Sequence, residues 1–60
     1  MAQFKELTHD DGKKVTVNVD AIQTMRLDGP STIINFAKGD IVVVKETPND
    51  ILMRPSLRTL

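Results

Sequence analysis

Turn signals recur along this chain every 8–12 residues or so, and that spacing limits the fold more than any other feature. The intervals between them hold a strand but hardly a packed helix. Asp11-Gly12 is a hairpin signal, because Gly12 can take a positive φ without a Cβ clash. Asp28-Gly29-Pro30-Ser31 and Ala37-Lys38-Gly39-Asp40 mark two further reversals. At Val19-Asp20 an alternating pattern breaks, and Asn18 and Asp20 are residues that bond nearby backbone groups in turns.

The segments between these signals read as strands. Phe4 to Thr8 is the first. In Lys14 to Asn18, Val15 and Val17 fall on one side and Lys14, Thr16 and Asn18 on the other, the period-2 pattern of a half-buried strand. Ile22 to Leu27 fits either a helical turn, through Ile22 and Met25, or a strand, through its alternation. The break at 19–21 favours the strand. Thr32 to Phe36 is β-branched and aromatic, with Ile34 and Phe36 on one face. Ile41 to Glu46 has the strongest β character.

After residue 46 the pattern changes. Thr47 reads as a helix N-cap, Pro48 as the first helical residue and Asp50 as a carboxylate near the free N–H groups. Ile51, Leu52 and Met53 supply apolar contacts, and Pro55 ends the turn. The expected fold is all-β: an antiparallel meander of about five short strands, or a small open barrel, with one short C-terminal helical turn. Residues 1–53 form a single β-rich domain, and residues 54–60 are expected to be a flexible tail.

Composition narrows the function classes. The chain has 60 residues, 8 Lys+Arg against 8 Asp+Glu, and no cysteine. That excludes a disulfide framework and any cysteine-held metal. A neutral chain is a poor match for a phosphate backbone. No apolar stretch approaches the ~20 residues of a membrane span, and the N-terminus lacks the apolar stretch of a secretory signal. Membrane insertion is not expected, and a cytoplasmic location is. A domain of this size buries only roughly 60% of its unfolded surface. Association with another chain is one remedy for the resulting marginal stability, so a homodimer is expected.

No residue set carries catalysis. His9 is the only histidine, beside Asp10 and Asp11 at a hairpin tip, and a metal site needs three or four converging ligands. Ser31 and Ser56 each follow a proline and have no nucleophile-elbow pattern around them. Gly12, Gly29 and Gly39 sit singly in turns, not as a phosphate-cradling loop. No catalytic residue, metal ligand or cofactor is therefore assigned, and the chain is read as non-enzymatic. Lys13, Lys14, Lys38 and Lys45 form the alternative reading, a basic patch for nucleic acid. Acidic residues interleave with them, and the two aromatics, Phe4 and Phe36, are better used in a core than as base-stacking platforms.

The run Ile41-Val42-Val43-Val44 places two apolar residues on each face of one strand. Either both faces are covered within the chain, or one face meets another chain. An unpaired edge this apolar would invite aggregation. The contact reading assigns Ile41 and Val43 to the interface and turns Val42 and Val44 inward.

Leu7-Thr8, Gly12-Lys13, Asn18, Asp20, Ile22 and Met25 follow one another in an order that resembles the opening of the small flagellar FlbD/SwrD-like family. The second half is similar as well, in Thr32-Ile33-Ile34-Asn35-Phe36, Gly39 and Val44-Lys45-Glu46-Thr47. The likeness spans roughly residues 7–52. It implies a small cytoplasmic accessory of flagellar motility that acts by contact with a protein partner, and it carries over no catalytic residue. Its core position at Val44 is what sets the inward facing of Val42 and Val44.

Overall fold

The computed structural model describes residues 2–57. Its elements are β1 (Phe4–Thr8), β2 (Lys14–Asn18), β3 (Ile22–Asp28), β4 (Ser31–Phe36), β5 (Ile41–Val44) and α1 (Pro48–Met53). The chain is mainly β, as its turn spacing predicts. β1 and β2 form one antiparallel hairpin, and β3, β4 and β5 form an antiparallel sheet in that order. A single turn of 3-10 helix, Val19–Ala21, links the two sheets and is capped by the Asn18 side chain, which accepts from the Asp20 amide at 3.1 Å. No barrel closes.

The two sheets also meet through residues distant in sequence. Beyond the end of β1, His9 bridges Val44 of β5 in antiparallel fashion. The Lys45 amide donates to the Thr8 carbonyl at 2.8 Å, and the Asp10 amide donates to the Val43 carbonyl at 3.2 Å. The spatial order is therefore β2-β1-β5-β4-β3, and the outer edges belong to β2 and β3. A plain meander describes each sheet alone. The bridge places the last strand against the first.

The core follows from strand alternation. Leu7, Val17, Ile34, Val44 and Ile51, one each from β1, β2, β4, β5 and α1, are buried together. Val15, Val19, Ile22, Met25, Phe36 and Val42 pack around them, half-buried. Phe36 is thus used in the core as expected, but Phe4 is not, being 36% exposed. The reason is parity. Lys5 and Leu7 point inward from β1, so Phe4, Glu6 and Thr8 point outward.

Helix α1 forms as its local signals dictate. The Thr47 hydroxyl accepts from the Asp50 amide at 3.1 Å, and Pro48 occupies the first helical turn. Its C-terminal end is closed from a distance. Lys5, 8% exposed, donates from Nζ to the Ile51 carbonyl at 2.8 Å and to the Leu52 carbonyl at 3.3 Å. A cation there satisfies orphan carbonyls and opposes the negative end of the helix dipole.

Residues 54–57 lie along β1: the Arg54 guanidinium donates to the Glu6 carbonyl at 3.1 Å and the Leu57 amide to the Phe4 carbonyl at 2.7 Å. Residues 58–60, the rest of the expected tail, lie outside the described residues.

The turn before β5 holds one strained residue. Lys38 has φ 77°, beside Gly39 at φ 82°. A left-handed conformation costs an L-residue about 1–2 kcal/mol, which glycine avoids at some entropic cost. Lys38→Gly is expected to stabilise the protein by about 0.5–1 kcal/mol. A shift of the urea midpoint to higher concentration, with an unchanged slope, is the outcome that checks it.

Candidate interaction surface

The register of β4 and β5 places an apolar strip on the outside of the three-stranded sheet. Thr32, Ile34 and Val44 face the core, so their neighbours Ile33 and Val43 face away from it. Ile33 and Val43 are direct cross-strand partners, and Arg26 lies opposite Ile33 on β3. Two residues along β5, Ile41 opposes Asn35 and is 60% exposed. Asn35 donates to the Thr24 hydroxyl at 2.9 Å, which closes a polar row beside the strip.

Ile41 and Val43, selected from the sequence, thus share one face, while Val44 is buried and Val42 packs against the core. β5 is not a free edge, because β4 pairs with one side and the continuation of β1 with the other. The apolar run accordingly belongs to a strand in the body of the sheet, with one face covered and the other open. Ile33 completes the strip, and the sequence reading did not select it. Its signal is the same as that of the longer run: Ile33-Ile34 puts an apolar residue on each face.

The four lysines do not converge on one patch. Lys14 opposes Thr8 in the β1–β2 ladder and donates from Nζ to its hydroxyl at 3.2 Å. Lys45 lies on the other side of Thr8, through its backbone bond to that residue. Lys13 sits in the adjoining turn, where its amide donates to Asp11 Oδ1 at 2.9 Å. Lys38 lies in the turn at the opposite end of β5. His9 is half-buried at the β1–β5 bridge. Among the described residues no three His, Asp or Glu side chains converge in a metal-holding group.

A polar cluster built on two buried residues, Glu46 and Thr32, fastens α1 and the following residues to the sheets. Glu46, 9% exposed, accepts the Thr8 amide on Oε1 at 2.9 Å. Arg54 lies 3.7 Å from its Oε2 and pairs with Asp50 at 2.9 Å. The Thr32 hydroxyl, fully buried, donates to the Glu46 carbonyl at 2.6 Å. Burial alone would raise the Glu46 carboxyl pKa. The Thr8 hydrogen bonds and the Arg54 guanidinium outweigh it and hold the group below its ordinary 4.5. This arrangement is structural: it orders the junction of β1, β5 and α1.

A cleft of about 450 Å³ opens between β3 and α1, lined by Lys5, Val19, Ile22, Met25, Ile51 and Leu52 among others. Among the described residues, no helix is long and apolar enough to cross a membrane.

Residues 6–55 match the family model FlbD, described as flagellar and swarming motility proteins. No curated protein and no solved structure matches the chain.

Proposed function

Because the chain belongs to the FlbD family of flagellar and swarming motility proteins, we propose that it serves motility as a non-catalytic, cytoplasmic contact protein. The observation that carries this reading is the outward strip of Ile33, Val43 and Ile41 on a sheet held from both sides. Apolar residues grouped this way, with a polar rim of Thr24, Arg26 and Asn35, have the make-up of a small protein-docking face. The strip takes a protein partner of the flagellar apparatus. A nucleic-acid role has less support, since Lys38 stands apart from Lys13, Lys14 and Lys45 and the chain carries no net charge.

Ile41→Lys and Val43→Lys test the reading in a flagellated host that lacks the gene. Ile41 is open to solvent, so its replacement should change stability by no more than about 0.5 kcal/mol. Deletion should reduce swimming in soft agar, and the parent gene should restore it. Ile41→Lys should fail to restore it although the purified variant melts as the parent does. Val43→Lys should behave likewise, with a larger loss of stability because Val43 is half-buried. Full swimming with both variants, or with the gene deleted, would sink the proposal.

A further inference from the structure

We infer that the free edge of β3 pairs with β3 of a second copy of this chain, antiparallel and centred on Leu27. β3 spans Ile22–Asp28, the longest strand, and lies at the end of the β3-β4-β5 sheet. Edge strands are ordinarily protected by shortness, bulges, proline or charged side chains, lysine above all. β2, the opposite edge, is shorter and carries Lys14. β3 has neither lysine nor proline, and its one irregularity sits at the far end, between Ile22 and Thr24.

The hairpin geometry says which backbone groups are free. Asp28 and Ser31 close a two-residue loop in which Gly29 has φ 59°. A positive φ at the first loop residue, followed by proline, is the type II′ hairpin turn. Pairs then alternate outward from the turn, beginning with a hydrogen-bonded one. Asp28, Arg26 and Thr24 therefore direct their N–H and C=O groups to β4. Leu27 and Met25 direct theirs away from the sheet. Leu27 is also 63% exposed, an apolar side chain beside backbone groups that the β3–β4 ladder does not use.

The flanking charges select the occupant. Arg26 and Asp28 lie on either side of Leu27 and point to the other face of the strand. Among the described residues neither takes part in an ion pair. An antiparallel copy centred on Leu27 sets each Arg26 opposite the other chain's Asp28, twice, by the two-fold symmetry of such an interface. It also sets Leu27 against Leu27. Centring on Arg26 would oppose like charges, which is unfavourable. Centring on Met25 would run the ladder into the irregularity at Ile22/Thr24 and the wall of the cleft. The paired edges would join the β3-β4-β5 sheets of the two copies into one of six strands and leave the Ile33–Val43–Ile41 face open.

Sedimentation over a concentration series tests the pairing, with two charge reversals. Arg26→Asp and Asp28→Arg should each weaken the dimer about 10- to 100-fold, since two attractive cross-strand pairs become repulsive. Mixing the two variants should restore a dimer, because each then supplies the charge that the other lacks. A fold damaged within either chain would not be repaired by mixing. In the parent protein, amide exchange at Leu27 should slow as concentration rises. A parent that stays monomeric throughout overturns the inference. So does a dimer indifferent to both reversals, or one in which the Leu27 amide exchanges as freely as in the monomer. A dimer dissociated only by Val43→Lys would place self-association on the other face.

Discussion

Ile34→Ala is expected to leave the chain largely unfolded at 25 °C. Ile34 is fully buried at the centre of β4, between Met25 on β3 and Val42 on β5. Truncating a buried isoleucine to alanine typically costs about 2–5 kcal/mol, through lost burial and the cavity left behind. A core of this size rarely supplies more than about 3–5 kcal/mol in total. The loss is therefore of the same order as everything that holds the domain together. Ile34→Val should cost only about 0.5–1.5 kcal/mol and keep a cooperative transition. Leu52→Ala is the control: Leu52 is 68% exposed, so its removal should move the urea midpoint little. A cooperative transition for Ile34→Ala within about 1 kcal/mol of the parent would show that the core is not organised around this residue.

Glu46→Ala should cost about 1–3 kcal/mol at neutral pH, because it leaves the part-buried Thr8 amide without its acceptor and Arg54 without one of its carboxylates. The same carboxylate should make the protein acid-sensitive. Its folded pKa lies below 4.5, so the folded state holds fewer protons on it than the unfolded state does. The stability it contributes is fully present above 4.5 and is lost as pH falls through the lower, folded value. Glu46→Gln can still accept the Thr8 amide but cannot titrate. It should lower stability at pH 7 and flatten the fall in stability below pH 4.5. Urea midpoints measured from neutral to acid pH check this. A Glu46→Gln protein whose acid limb runs parallel to the parent's would mean that another group carries the acid sensitivity.

These two positions differ in how far the sequence disclosed them. Ile34 is legible directly, as an apolar residue in an alternating strand. So are the turns at Gly12, Gly29 and Gly39 and the helix start at Thr47, because each rests on local backbone chemistry. Glu46 is legible only by parity. It stands two residues from Val44, as Thr32 stands two from Ile34 and Lys5 two from Leu7. Alternation turns all three polar side chains inward. What each would bond there depends on elements far along the chain, and no local pattern encodes those partners. The same limit hid the strand order, since nothing near His9 signals that it meets Val44. For the interaction strip, Ile41 and Val43 were readable from their run. Ile33 needed the β4–β5 register, which places it against Val43.

The β1–β5 junction also bears on how quickly the domain can form. The Thr8 amide reaches Glu46 across 38 residues of sequence, Lys5 reaches the Ile51 carbonyl across 46, and Arg54 reaches the Glu6 carbonyl across 48. The two hairpin sheets can each assemble from neighbouring residues, yet the core shared between them forms only after most of the chain has been looped back. Loop closure on that scale must come before the contacts that reward it, and domains dominated by such contacts fold in roughly milliseconds to seconds, not microseconds. A nascent chain that stops short of residue 46 lacks the groups that lock β1 in place, so each sheet can begin to form during synthesis but the core they share cannot close until that residue has been made.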